Sequence, residues 1–441
     1  MRQLTAGTGR LMITPPFDCE LSGFVAREGR SRGVHDPLYA RALVLADGKE
    51  KIALVSVDAL GVDAKLLAKV REKVAHLTDL NPSSVMISAT HTHSGPVTME
   101  DIFLGEVDPA YRNGLINNIA GAVYLANQTL EPVTVFVGEE ECRSVGKNRR
   151  QKGGPTDAQV LVVRLQGANG PKALLVNYAC HPVVLGPDNF LVTADYPYYL
   201  LNALEQVYPG AQAMFMNGAT GDVNVGHNTA DSIQGKGNDR RTFREAARLG
   251  RILAGAALAA SENAVALRSV NLSYAAQELS VPFEQAPTAD FYLREVDTWK
   301  RQAVELKQKG ASFGEYHQAE VWAQWAGKMA ELQQANKIEP VIKSEVAAFS
   351  LGELEFVTLP GEFFHEFALM IKKERAPRRV VILGYTNHNI GYVAPEHVYD
   401  EGGYEVNDSY RYYGLPSPLT RGAGEEIVRT LLTMLKKLKN L

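Results

Sequence analysis

Five short polar clusters in the chain carry side chains able to do chemistry, and each follows an apolar run. Val85–Ala89 leads into HTHSGP with His91 and His93, and Ala173–Ala179 leads into CHP with His181. Ala213–Met216 leads into NGATGDVNVGH at residues 217–227, which contains Asn224. Leu354–Leu359 leads into PGEFF with Glu362, and Val380–Leu383 leads into GYTNHNIGY at residues 384–392, which ends on Tyr392. In an extended segment residues i and i+2 face the same way, so both imidazoles of His91-Thr92-His93 are expected to face one pocket. Imidazole suits zinc, iron, copper or nickel. Two or three histidines with one carboxylate match a catalytic zinc site that keeps a position open for water. Plainer readings stand beside this one: a lone His181 hydrogen-bonded in the core, and Glu362 as an acidic residue at the start of a helix. Other chemistries lack their signatures, since the chain has no GxSxG, HExxH, GxxxxGK[ST] or GxGxxG motif.

Strand ends are where an α/β fold builds its ligand crevice. Further apolar runs at Ala42–Leu45, Ile52–Val57, Val133–Val137 and Val160–Leu165 alternate with Gly-containing loops. Arg244–Ala260 has helical spacing of its apolar residues, and a closing helix is expected from Gly424 to Leu438. The pattern predicts an α/β fold with a mixed β-sheet core of two stacked sheets flanked by helices. Residues 283–338 differ, being rich in Glu, Lys, Gln and Ala and holding all three tryptophans. Apolar residues recur there every three or four positions on both sides of Gly310, which predicts a helical hairpin inserted into the α/β body. Its stripes are expected to pack on the core or on each other, with a wall over a substrate groove as the alternative. No internal repeat is visible and no Pro/Gly/Ser linker divides the chain, so residues 1–441 are expected to form a single domain.

The balance of 46 basic and 50 acidic side chains gives −4, and the isoelectric point near 6.2 argues against a nucleic-acid partner. With 45% hydrophobic and 22% charged residues, a disordered, collagen-like or coiled-coil chain is excluded. No apolar run approaches the roughly 20 residues of a transmembrane segment. Three cysteines without a CxxC exclude a disulfide framework and a cysteine-built zinc site. The N-terminus shows no secretory pattern, so a cytoplasmic location is expected.

In their order, HTHSGP, the His181 segment, NGATGDVN, LPGEF and NHNIGYV resemble the catalytic domain of the neutral/alkaline non-lysosomal ceramidases, without that family's C-terminal immunoglobulin-like domain. The resemblance implies a zinc-dependent amidase that hydrolyses an N-acyl bond. It implies His91, His181, Glu362 and Tyr392 as zinc ligands, and His93, Arg149 and Tyr404 as residues around the metal or the substrate. Where the family's loop reads GDxS, with the serine proposed as nucleophile, this chain has Asn224. Zinc-activated water is then the expected nucleophile, with Asn224 holding water or donating to an oxyanion, and His93 the better proton shuttle. A small-molecule or lipid N-acyl substrate is expected, smaller or more polar than long-chain ceramide. The alternatives are a metal-dependent hydrolase of an ester, lactam or phosphoester, and a non-catalytic ligand-binding homologue.

Overall fold

The computed structural model describes residues 3–16, 18–235 and 239–438. In chain order its main elements are β1 (Thr5–Met12), β2 (Tyr39–Ala46), β3 (Lys51–Val57), α1 (Ala64–Leu77), β4 (Val85–Ala89) and α2 (Pro109–Gln128). Then follow β5 (Thr134–Glu141), β6 (Gln159–Gly167), β7 (Gly170–Tyr178), α3 (Tyr196–Val207), β8 (Gln212–Asn217) and α4 (Phe243–Glu262). The last third holds β9 (Leu272–Pro282), α5 (Ala289–Gln308), α6 (Phe313–Gln334), β10 (Val341–Leu351), β11 (Leu354–Thr358), α7 (His365–Arg375), β12 (Arg379–Leu383) and α8 (Ala423–Leu438).

These elements repeat one plan three times. Three strands form an antiparallel meander, a helix crosses over, a fourth strand pairs parallel with the third, and a second helix returns. The sheet orders are β4-β3-β2-β1, β8-β7-β6-β5 and β12-β11-β10-β9, with a two-residue edge strand added to each of the first two. The α/β class with mixed sheets and flanking helices stands. Its core has three large sheets where the apolar runs suggested two, and the chain repeats in topology where its sequence shows no repeat. In each unit the first, third and fourth strands run the same way, so their carboxyl ends share one edge.

Period-2 alternation assigns each strand two buried faces. Leu43 and Leu45 of β2 join Val135, Leu161, Phe349 and Phe356 in one core shared by all three sheets. Ala40, Ala42 and Val44, on the other face of β2, pack under α1 and α2. The outer faces of the other sheets are covered in the same way by α3 with α4 and by α7 with α8. Glycines in the first strands let the returning helices approach closely. A Cβ on Gly7 would lie 1.9 Å from the Ala126 carbonyl oxygen, and one on Gly138 would lie 1.8 Å from that of Ala260. Polar side chains tie the units where the fourth strands meet: Asn177 Nδ2 donates to Ile382 O (2.7 Å), Ser56 Oγ to Phe215 O (2.6 Å) and Ile87 N to Asn387 Oδ1 (3.0 Å).

The α5–α6 hairpin sits between β9 and β10, which pair antiparallel along their full length. It is the third unit's version of the connection between first and second strands, which in the other units is a loop (13–38 and 142–158). No helix among the described residues is long and apolar enough to cross a membrane.

Candidate metal centre

The chemistry-bearing residues come from three loop positions of the repeated unit, all at the shared strand edge. His91 and His93 follow β4, Asn224 follows β8, and Tyr385, Tyr392, Tyr404 and Tyr413 follow β12. His181 and Glu362 follow the third strands β7 and β11. Arg149 and Gly23 lie on the connections between first and second strands.

His91 and His93 meet by a different route from strand alternation. His91 lies past the end of β4 with φ of 71°, a left-handed conformation that costs a non-glycine residue energy. The turn brings the His91 and His93 Nε2 atoms to 3.2 Å, with the rings nearly perpendicular. One ligand nitrogen from each of His91, His93 and His181 lies within 4.8 Å of the other two. Glu362, 1% exposed, places Oε2 2.9 Å from His181 Nε2 and 3.5 Å from His91 Nε2.

The hydrogen bonds behind the rings fix their protons. His91 Nδ1 lies 2.6 Å from Leu60 O, and His181 Nδ1 lies 2.7 Å from Thr220 O and 3.1 Å from Val223 O. A carbonyl oxygen only accepts, so each Nδ1 carries the hydrogen and each neutral ring turns the Nε2 lone pair inward. Burial pushes the His181 imidazole below its ordinary pKa, which favours the neutral ring. Burial likewise holds His93 well below, with His91 and His181 adding to the effect. Lone pairs of two imidazoles and a carboxylate thus converge with no donor between them, and a cation resolves that repulsion. The spacings of 2.9, 3.2 and 3.5 Å bracket the edge of a tetrahedron with zinc-ligand arms, roughly 3.3 Å for bonds of about 2.0–2.1 Å. The donor set fits the metal that the sequence suggested, and the carbonyls on Nδ1 are the orienting partners such ligands use.

Tyr392 is set beside Glu362 by backbone pairing. Arg149 lies 5.2 Å from the Tyr392 ring centre and 6.0 Å from that of Tyr404, and its Nε donates to Glu405 (2.9 Å). Burial drives the Tyr404 phenol well above its ordinary pKa, so it stays protonated. Asn224 lines the cavity, but its amide closes a turn: Nδ2 donates to His227 O (2.6 Å), and Oδ1 accepts from Gly226 N (2.8 Å) and His227 N (3.2 Å).

Several partners were not legible in the sequence. Tyr413 OH donates to Glu362 Oε1, and Tyr385 OH lies 3.4 Å from Oε2. Tyr385 also stacks on His91 at 4.1 Å between ring centres, itself at φ of 53°. Arg27, buried without a carboxylate partner in hydrogen-bond range, donates to His93 O (2.8 Å) and to the carbonyls of Leu21, Ser22 and Asn189. Gly23 has φ of 103°, and a Cβ there would lie 2.5 Å from His93 Cγ, so only glycine admits the ring. Tyr385 sits in the block that also contains Tyr392, and its place directly after β12 was the available signal.

Residues 4–235, more than half the chain, match the family model described as "Neutral/alkaline non-lysosomal ceramidase, N-terminal". The chain belongs to this ceramidase family. A neutral ceramidase from Pseudomonas aeruginosa is 27% identical over 215 residues, covering 43% of this chain and 32% of that protein. Neutral ceramidase 3 of Arabidopsis thaliana is 30% identical over 155 residues, 32% of this chain and 21% of the relative. The aligned parts therefore span between a fifth and a third of these two relatives. The crystal structure of the Pseudomonas neutral ceramidase superposes with a TM-score of 0.73 at 18% identity, over 98% of this chain and 74% of the other. The ceramidase fold thus extends well past the matched N-terminal part, through the third unit that carries Glu362 and the hairpin.

Proposed function

We propose that this ceramidase-family chain is a metal-dependent hydrolase of an N-acyl amide bond, with zinc as its metal. The observation that supports it most is the convergence of the His91 and His181 Nε2 lone pairs on the buried Glu362 carboxylate, with His93 beside them. The membership adds that relatives are named for acting on ceramide, an N-acyl compound.

His91, His181 and Glu362 would hold the ion, with Tyr392 completing the set. Bound zinc supplies a lowered pKa for water, to about 7, and polarisation of a carbonyl. His93 is the side chain best suited to move the proton. Its ring is neutral and lines the cavity, and its carbonyl is clamped by Arg27, so it can take a proton from attacking water and return it to the departing nitrogen. Protonated Tyr404 and the guanidinium of Arg149 present donors toward developing negative charge on the substrate oxygen. Part of Arg149's charge is already matched by Glu405. Asn224 offers one remaining N–H donor, and its main work is to shape the 224–227 turn.

The test is elemental analysis of purified protein beside His181→Ala and Glu362→Gln. About one zinc per chain is expected in the parent and its loss in both folded variants. Full zinc occupancy in both variants would overturn the assignment.

A further inference from the structure

Two cavities meet at one wall. The cavity at the imidazole trio has a volume of about 70 Å³ and is lined by His93, His181, Arg149 and Tyr404 with both polar and apolar neighbours. The second, about 520 Å³, opens between the 102–106 loop and α6. Phe24, Val25 and Leu104 are the side chains common to both linings. The wall is braced from two sides. Phe24 lies 4.8 Å from the His93 ring and 5.2 Å from the Arg27 guanidinium, while Val25 and Leu104 pack on the cluster of Val321, Trp322 and Tyr412 supplied by the hairpin and the 412 segment. Gly314 at the start of α6 fixes the hairpin there, since a Cβ on it would lie 1.9 Å from Ile233 O.

At 10–15 Å³ for each water-sized group, the inner cavity has room for about five such groups. The reacting carbonyl and its nitrogen use about three of them, which leaves space for an acyl group of about two to four carbons. The larger cavity mixes Glu20, Arg30, Glu106 and His317 with Phe103, Phe313 and Val321 along its lining. We propose, resting on the N-acyl hydrolase reading above, that the Phe24–Val25–Leu104 wall sets acyl length, so that substrates carry a short acyl group and Leu104 is the stop. Leu104 is a specificity-determining side chain in this account. It sits on a loop and takes no part in holding the histidines.

Two measurements on zinc-loaded protein test this. Calorimetry gives the affinity for acetate, butyrate, octanoate, laurate and palmitate, the carboxylates that hydrolysis would release. Kinetics gives kcat/KM for N-acyl amides of the same lengths, long-chain ceramide included. Affinity should peak at two to four carbons and fall at least tenfold by twelve. Leu104→Ala, or Val25→Ala should that variant fold poorly, should join the cavities and move the optimum to eight carbons or more. Affinity in the parent rising by about fourfold per methylene up to sixteen carbons, the gain from a continuous apolar groove, would overturn the proposal. So would an unchanged length profile in a folded Leu104→Ala protein. Short carboxylates that bind as expected, with no N-acyl amide of any length turned over, would sink the hydrolase reading and leave the wall standing.

Discussion

His365 lies three positions after Glu362 and is held through a second contact, outside the imidazole trio. Its Nδ1 lies 2.6 Å from Asp222 Oδ2, and its backbone N–H donates to Asp222 Oδ1 (2.9 Å). The pair ties the loop carrying Asn224 to the segment carrying Glu362. Burial would lower the His365 pKa, but the Asp222 bond and charge raise it above its ordinary value. A histidine whose folded pKa exceeds its unfolded one contributes stability fully present below the unfolded value near 6.5, lost as pH rises through the folded value. The stability advantage of the parent over His365→Gln, read from urea midpoints, should therefore be largest near pH 6 and shrink toward pH 9. An advantage that grows with pH would contradict this. At this scale the sequence was readable where function leaves a short motif. His91, His181 and Glu362 stand out because imidazoles and a carboxylate follow strands, while Tyr413 and Arg27 stand far from any motif. Nothing in a lone tyrosine or arginine says which carboxylate or carbonyl it will meet. The route by which His91 reaches His93 was hidden as well, because a left-handed φ at a histidine has no signature in residue type.

Elements were legible in proportion to how completely they are buried. β3, β4 and β8 have both faces inside and read as nearly continuous apolar runs, whereas β9 has several exposed residues and gave no run. The hairpin at 289–334 falls inside the segment its tryptophans marked out, and its Trp322 joins the cluster beside the cavity wall. The glycines under the returning helices carry information that only the packing reveals. Gly138→Ala forces α4 away from β5, because the new Cβ would stand 1.8 Å from Ala260 O. Overpacking of this kind typically costs about 1–3 kcal/mol, and a backbone obstacle places this case at or above the upper end. Urea denaturation should show a loss of about 3 kcal/mol with the fold retained. A change below about 0.5 kcal/mol, the range of ordinary surface substitutions, would mean that helix and strand are not so closely apposed.

Across the whole molecule, the repeated plan explains why the site lies where it does. Three units bring their strand edges together, and each sends different residues to the centre: His91 and His93 from the first, His181 from the second, Glu362 and the tyrosines from the third. The repeat escaped the sequence because helix-on-sheet packing accepts many apolar combinations, while the residues at equivalent loop positions have diverged into different roles. A metal held by ligands from all three units would link them, so its binding would add stability to the assembled fold, about 2.7 kcal/mol at a hundredfold excess over its dissociation constant. The most direct measurement is a zinc titration of chelator-stripped protein, following hydrolysis of a short N-acyl amide and the urea midpoint in the same samples. No turnover is expected without metal, with turnover and midpoint rising together to a plateau at one zinc per chain. Full turnover in stripped protein, with a midpoint that zinc does not move, would contradict it.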